Sequence, residues 1–302
     1  MNKINVVGNK IHSNSWSDTV SIFNAISRKN LWIFRGVKKS EWTLKTHFER
    51  ETEKHELNSY YHNTCESNII TAFQRQAKQY LQNLPDNHEF IDWLALIQHY
   101  GGPTRLLDFT YSFYVAAFFA LQNSDSEAAI WAINANSLIR VDNGIASQIS
   151  KIGYREIIRK YVDLANKVLS EGQKFNDNER KQLVYPVEPY FQEQRLAIQQ
   201  GLFLFPVDIE TSFMGNLSHA LGSQSDDVFD HDQLKELTLE DLSSNNPELC
   251  LIKIILSDKM RYEAMNQLQQ MNISDATLFP GLDGFARSLS NHFHDIKWTL
   301  TK

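Results

Sequence analysis

The sequence has few cysteines that could form disulfides or bind metal, and no apolar run long enough to anchor it in a membrane. Its 302 residues include two cysteines, Cys65 and Cys250, which lie far apart and without a ligand pattern around them. We therefore expect neither a disulfide framework nor a zinc site, and no metal. The longest apolar run, Tyr111 to Leu121, is too short to cross a bilayer. The beginning of the sequence lacks the apolar core of a signal peptide, so we expect a soluble, cytoplasmic protein with no membrane partner.

A large excess of basic residues is also absent. The formal net charge is −6 and the isoelectric point is about 5.9, which argues against broad nucleic-acid binding, because such binding normally shows as a basic domain. The sequence contains no phosphate-binding P-loop, no dinucleotide-binding glycine fingerprint, no nucleophile elbow and no metalloprotease helix signature. These frequent catalytic frameworks are therefore excluded.

What is present is enough apolar sequence for a sizeable core. Hydrophobic residues make up 42% of the chain and aromatic residues 12%. Short strands are scattered among longer helices without a steady alternation, which favours an α+β fold with a small mixed or antiparallel sheet packed by helices. We expect a single compact domain over residues 1–302, with a core of about 29–293. The stretch 212–247, rich in Asp, Ser and Asn, is predicted to be an exposed, mobile insertion.

Apolar periodicity predicts several individual elements. We expect a helix at Glu89–Tyr100 and strands at Leu31–Val37, Ala128–Asn134 and Glu248–Leu256. Alternating apolar residues over 40–50 predict an extended, half-buried segment, and residues 184–189 are interpreted as a break between elements.

The most informative segment runs from residue 99 to residue 121. It places a glycine pair, a proline, an arginine, an aspartate and two threonines directly ahead of the long apolar run. Polar groups beside a buried helix are costly unless they are hydrogen-bonded or in use, so this segment predicts a binding or catalytic site. We expect Gly101 and Gly102 to form a turn that side chains tolerate poorly. Thr110 is predicted to cap the helix that follows.

Other residues of this segment allow two interpretations each. Arg105 and Asp108 lie three positions apart, so they either serve the site or pair with each other. His99 stands at the end of the predicted helix and is either a capping or core histidine or a catalytic base. Thr104 lies between the glycine turn and this pair, and we count it among the candidate ligand-binding residues.

Two further clusters carry polar groups at strand ends. Arg35 follows apolar residues and precedes Gly36. A guanidinium at such a place either binds a phosphate or carboxylate through two parallel hydrogen bonds or pairs with a structural acid. Glu193, Arg195 and Gln199 precede the apolar run of residues 201–207, which predicts a strand.

Four motifs together resemble the FRG-domain family, which is named after its Phe-Arg-Gly tripeptide. The resemblance runs from about residue 31 to about residue 289, in the order that the family has. Its motifs are WIFRG at Trp32–Gly36, QHYGGPTRLLDFT at Gln98–Thr110, QEQRLAIQQGLF at Gln192–Phe203 and TLFPGLDGFA at Thr277–Ala286. Because the family is bacterial and phage-associated, the resemblance implies a setting of bacterial or phage conflict and defence, in which such a protein acts as a toxin.

The order of elements is also similar, more distantly, to ADP-ribosyltransferases. In that fold an arginine at a strand end binds NAD, a serine-containing strand end leads into a helix, and a glutamate-containing loop enters another strand. Arg35 matches the first element. Asp108 and Thr110 stand where serines would be, and Glu193 lies near the third element, with Arg195 about where the catalytic glutamate would be. The resemblance implies an ADP-ribosyltransferase-like core with an NAD pocket.

Two classes of function remain open. The first is an NAD-using transferase or glycohydrolase, in which Arg35 clamps the pyrophosphate and an acid stabilises an oxocarbenium-like transition state. Glu193 is our first choice for this acid, and Asp108 is the second. The second is a nucleotide-binding or protein-interaction module that kept the pocket and lost the chemistry. A carboxylate facing the pocket beside Arg35 would discriminate between them, and the ligand in either case is a nucleotide or small molecule, with a protein as a further target.

Arg35, Arg105, Asp108 and Glu193 are expected to converge on one cleft, because their polar clusters stand at strand ends or loop–helix junctions of one domain. The catalytic candidates are Glu193, Asp108 and His99, and the ligand-binding candidates are Arg35, Gly36, Gly101, Thr104, Arg105, Thr110, Arg195 and Gln199.

Overall fold

The computed structural model describes residues 8–28, 30–140, 153–171, 182–191, 193–223, 234–243 and 249–289. Within them, the strands are β1 (Asn9–Ser13), β2 (Trp32–Val37), β3 (Leu107–Thr110), β4 (Ala128–Asn134), β5 (Val184–Val187), β6 (Gly201–Pro206), β7 (Lys235–Glu236) and β8 (Leu251–Leu256). They form an eight-stranded sheet in the order β5–β6–β3–β2–β4–β8–β1–β7. The sheet is mixed, because β1 runs parallel to β7 and β8 while the remaining pairs are antiparallel.

Helices connect and cover the strands. They are α1 (Trp16–Ser27), α2 (His47–Lys54), α3 (His62–Ala77), α4 (Phe90–His99), α5 (Phe113–Leu121), α6 (Ala135–Arg140), α7 (Tyr154–Glu171), α8 (Gln194–Ile198), α9 (Phe213–Ala220), α10 (Leu239–Ser243), α11 (Arg261–Gln270), α12 (Asp275–Leu278) and α13 (Leu282–Ser288). No helix among the residues that the structure describes is long and apolar enough to cross a membrane.

The core is built around the central strands. Every residue of β4 and β8 is buried, as their continuous apolar sequences require. One buried cluster joins β2, β4 and β8 to α1, α5 and α11, and a second joins alternate residues of the same strands to α9. A third cluster packs α3, α4 and α7 on β5 and β6. Helices therefore pack against the sheet through three buried clusters.

Much of the predicted architecture is confirmed. The fold is α+β, and the structure has the predicted helix as α4 and the predicted strands as β2, β4 and β8. With eight strands, the sheet is larger than the small sheet we expected. The short strands β1 and β3 were not predicted.

Three local predictions were wrong. The extended segment at 40–50 ends at Thr46, because Thr46 and Glu49 form a capping box that begins α2. The expected break at 184–189 contains β5, whose four residues are all buried. The predicted insertion at 212–247 begins with α9, which buries Phe213 and Leu217. Residues 224–233 and 244–247 of that stretch lie outside the described residues, as do residues 29, 141–152, 172–181, 192, 248 and 290–293 of the predicted core.

Candidate functional site

A cleft of about 780 Å³ lies where β2 and β3 diverge. The two strands are paired at Phe34 and Thr110 alone, so the backbone beyond this pair opens into a gap. Segment 38–45, α2, α5 and α8 supply the other walls. The volume is in the range of small-molecule and cofactor sites.

The Phe-Arg-Gly tripeptide lies at the base of this cleft, and each of its residues has a different surrounding. Phe34 is buried against the rings of Phe23 and Phe113. A methyl group placed on Gly36 would lie 2.0 Å from the Ala116 carbonyl oxygen and 2.6 Å from the Ala120 nitrogen. Glycine is therefore needed to let α5 approach β2. Gly36 was predicted to bind ligand, and although it lines the cleft, its evident role is this close packing.

Arg35 spans the gap between the two strands. Its Nη1 donates to the Asp108 backbone carbonyl at 2.7 Å and lies 3.5 Å from Asp108 Oδ2. Burial lowers the pKa of Arg35, and the Asp108 carboxylate acts in the opposite direction. An arginine side chain stays charged in proteins, so the guanidinium at the base of the cleft is a partly desolvated cation. Its Nε and Nη2 donors have no acceptor among the described residues.

Asp108 is held from both sides while its carboxylate remains accessible. The side chain is 60% exposed. Gln98 Nε2 donates to Oδ1 at 2.8 Å, opposite the contact of Arg35 with Oδ2. The Thr104 hydroxyl donates to Gln98 Oε1, which fixes the amide so that its NH₂ faces Asp108. The candidate Thr104 is itself fully buried, so it acts on the site through Gln98.

Arg195 lines the cleft together with Arg35 and Asp108. Burial lowers its pKa, while the charge of Asp108 raises it and that of Arg287 lowers it. Its guanidinium stacks over the Phe279 ring at 4.5 Å from the centroid. Within the described residues it makes no hydrogen bond or ion pair. Its N–H groups are therefore available to an anion in the cleft.

A smaller cavity of about 130 Å³ adjoins the cleft and shares Asp108, Arg195 and Gln199 with it. It also contains the other two catalytic candidates, His99 and Glu193. Glu193 begins α8 and makes no capping hydrogen bond. His99 is exposed at the end of α4. The carboxylate that faces the main cleft beside Arg35 is thus that of Asp108.

Arg105 is not brought to the cleft, contrary to our expectation. Its side chain is 2% exposed and forms a two-bond ion pair with Glu66, which includes a 2.7 Å bond from Nε to Oε1. Nη1 also donates to the carbonyls of Pro206 and Val207 at 3.3 and 3.2 Å. The alternative in which Arg105 pairs with Asp108 is also wrong. Arg105 ties α3 to the end of β6.

Gly101 and Gly102 end α4 instead of lining the cleft. Gly101 has φ +83°, and its N–H donates to Gln98 while that of Gly102 donates to Ile97. This is the hydrogen-bond pattern of a Schellman cap. A methyl group on Gly102 would lie 2.5 Å from Ile97 Cγ2. The expected turn is therefore present, and it orients Gln98 at the end of the helix.

The two remaining candidates connect β3 to α8. The Thr110 hydroxyl donates to the Gln199 carbonyl at 2.7 Å, and Gln199 Nε2 donates to the Leu278 carbonyl at 2.9 Å. Both residues line the cleft. Thr110 does not cap the next helix, because α5 begins at Phe113 and its cap is Ser112.

Sequence reasoning missed the wall formed by segment 38–45 and α2. Five basic side chains line the cleft against three acidic ones, and over half of these eight come from this wall: Lys38, Lys45 and Arg50, with Glu41 and Glu53. Lys45 pairs with Glu53 at 2.6 Å. The basic excess contrasts with the net charge of −6 for the whole chain and favours an anionic ligand. The signal in the sequence is the alternation of basic and aromatic residues over residues 38–50.

Gln98 was also missed, although it opens the QHYGGPTRLLDFT motif. Its position before the helix-ending glycines gave no sign that it would reach Asp108, ten residues later. Among the described residues, no group of three or more His, Cys, Asp or Glu side chains could hold a metal ion.

Comparison with known proteins matches part of the chain to a protein family. No curated protein and no solved structure matches the chain significantly. A family model matches residues 30–129, which include Arg35, Trp42, Gln98 and Asp108, whereas Arg195 lies beyond the matched region. The resemblance is thus confirmed over residues 30–129, which form an FRG domain and contain the first two of the four motifs. The motifs at 192–203 and 277–286 lie outside the matched region.

Proposed function

We propose that the cleft binds a phosphate-bearing nucleotide of the NAD type. The observation that carries this proposal is the pair of guanidiniums, Arg35 and Arg195, that share one cleft with Asp108. Both line the cleft, and both have N–H donors without an acceptor among the described residues. Arginine forks match the oxygens of phosphate and bind them through parallel hydrogen bonds. A pyrophosphate lying between the two side chains would fill these donors.

The chemistry that we propose is cleavage of the bond between nicotinamide and the ribose C1′ of NAD. The electron pair of this bond leaves with nicotinamide, and C1′ becomes an oxocarbenium-like cation. A water or an acceptor group then adds to C1′ and releases its proton. If water adds, the protein is an NAD glycohydrolase. If another acceptor group adds, it is an ADP-ribosyltransferase.

Asp108 is the carboxylate best placed to stabilise that cation. It lines both cavities and lies beside both arginines. The Gln98 amide and the Arg35 guanidinium each contact one of its two carboxylate oxygens, which fixes the orientation of the carboxylate. Glu193 and His99, in the adjoining cavity, are the second acid and a candidate base. Asp108 therefore takes the place of Glu193 as the first candidate for the acid that stabilises the cation.

An ADP-ribosyltransferase-like core is part of the proposal. The three elements that carry the distant similarity are β2, β3 with α5, and α8 with β6. β3 pairs with both β2 and β6, so these elements meet at one place. By family resemblance, we propose that the protein acts in the cytoplasm as a toxin in bacterial or phage conflict and defence, with a protein as one possible class of acceptor.

One observation favours the alternative of a binding module without chemistry. Both carboxylate oxygens of Asp108 already have partners, and Glu193 lies in the smaller cavity. A site of this kind would bind the nucleotide and leave it intact.

The test measures NAD binding by calorimetry and nicotinamide release on the same protein samples. The variants are Asp108→Asn and Glu193→Gln, which keep the shape and remove one charge each. For the transferase or glycohydrolase, we expect Asp108→Asn to bind NAD within about threefold of the wild type and to lose at least about 100-fold in turnover, because the charge acts in the transition state. Loss of turnover in Glu193→Gln alone would restore Glu193 as the acid. Binding without nicotinamide release in the wild type would support the binding module.

A further inference from the structure

Trp42 stands out among the tryptophans of the cleft region. It lines the cleft and is 47% exposed, whereas Trp131 on the neighbouring strand β4 is fully buried. Phe119 and Val115 of α5 also line the cleft. The cleft thus has both basic and aromatic side chains in its lining.

The backbone that carries Trp42 is fixed. Lys253, fully buried on β8, donates from Nζ to the Trp42 carbonyl at 3.2 Å, and its Nζ lies 4.6 Å from the centroid of the Trp131 ring. The Trp42 N–H donates to the Lys39 carbonyl at 3.2 Å. Two residues later, Leu44 is 1% exposed. An exposed ring on such an anchored backbone needs little further ordering to bind a ligand.

The charges around the ring also suit a nucleotide. The Lys39 Nζ lies 5.9 Å from the Trp42 ring centroid, and the Lys38 side chain lines the same wall. A planar base stacks on an indole, and the phosphates that follow the base are drawn to these cations.

We infer that Trp42 is the platform on which the base of the nucleotide stacks, with Lys253 as a positioning residue that holds this platform. The inference rests on the proposed function and deepens it, because it commits the site to a ligand with a purine ring joined to phosphates. The pyrophosphate lies at Arg35 and Arg195, and the purine lies at the rim.

The experiment compares two probes, ADP and inorganic pyrophosphate, by calorimetry. The proteins are wild type, Trp42→Ala, Trp42→Phe and, as a matched control, Tyr80→Ala, which removes an aromatic side chain that is 79% exposed and does not line the cleft. We expect Trp42→Ala to weaken ADP binding about tenfold or more and to leave pyrophosphate binding within about twofold. Trp42→Phe should keep ADP affinity within about threefold, and Tyr80→Ala should match the wild type.

A spectroscopic reading keeps the test decisive if Trp42→Ala folds poorly. ADP should quench tryptophan emission in the wild type, and Trp42→Phe should bind ADP with most of that quenching lost. Equal quenching in both proteins would overturn the inference, as would ADP affinity unchanged in Trp42→Ala. A wild type that binds pyrophosphate but gains nothing from the purine of ADP would overturn it while leaving the anion site intact. A wild type that binds neither probe would overturn the proposed function as well.

Discussion

The arginines of this molecule occur in two different surroundings, one buried and one beside a cleft. Arg105 is 2% exposed and holds a carboxylate and two backbone carbonyls. Arg35 is 24% exposed, bonds through one nitrogen alone and faces a cleft. Arg195 resembles Arg35 in its open donors, since its guanidinium lines the same cleft, stacks on the Phe279 ring and makes no hydrogen bond to another described residue.

The difference lies in how many donors the protein itself uses. A guanidinium whose donors are filled by buried acceptors stabilises the fold, and any ligand would have to break those bonds. A guanidinium with open donors beside a cavity gains from an incoming anion. Substitution should therefore damage stability at the first kind of site and ligand affinity at the second.

The largest effect is expected when the buried ion pair is broken. Arg105→Met should lower the free energy of unfolding by about 3–5 kcal/mol, because the Glu66 carboxylate stays buried without its partner. Urea denaturation followed by circular dichroism measures this. The matched variant Arg35→Met should change stability by less than about 1 kcal/mol, since that ion pair is partly exposed. Equal losses in the two variants would erase the distinction between the two sites.

A smaller loss is expected at Gly36, next to the cleft arginine. Gly36→Ala should lower the free energy of unfolding by about 1–3 kcal/mol, because the added methyl group meets the backbone of α5. Gly153→Ala is the control, since a methyl group there would meet no atom within 4 Å. Thermal melts of both variants give the comparison. A Gly36→Ala protein as stable as the control would mean that Gly36 does not set the approach of α5 to β2.

A further effect is a dependence of stability on pH at Lys253. Burial lowers the pKa of this lysine to about 8, while Glu41 raises it and Lys10 lowers it further. Above that pH the folded protein holds it neutral while the unfolded chain still binds the proton, so folding becomes more favourable as pH rises toward 10.

The measurement for Lys253 is the difference in unfolding free energy between wild type and Lys253→Met, followed from pH 7 to pH 10. We expect the wild type to gain stability relative to the variant above about pH 8. A difference that stays flat or falls with rising pH would show that the buried ammonium is not destabilised by its surroundings.

Elements with strong local signals could be predicted from the sequence. The apolar runs of β4 and β8 and the amphipathic pattern of α4 led to correct predictions because their burial is continuous or periodic. β3 was missed because its four residues lie between a glycine turn and an apolar helix. Its strand character comes from pairing with β6, nearly one hundred residues later in the chain.

The site was predictable as a set of residue types and not as a set of contacts. Arg35 and Asp108 line one cleft as expected, and the ligand-binding candidate Arg195 lines it with them, whereas Glu193 lies in the adjoining cavity. Arg105 could not be separated from them, since its partner Glu66 lies on a helix without any motif. Trp42 was missed because its alternating neighbours indicated only a half-buried segment.

The central claim is that open guanidinium donors in the cleft hold an anionic nucleotide, and NAD affinity in arginine variants tests it most directly. Calorimetry on wild type, Arg35→Ala and Arg195→Ala should show NAD affinity falling about 10-fold to 100-fold in each variant, because each loses a charge-assisted contact. Urea denaturation of the same samples should show stabilities within about 1 kcal/mol of the wild type. A wild type that does not bind NAD, or variants that bind it as tightly as the wild type does, would contradict the account.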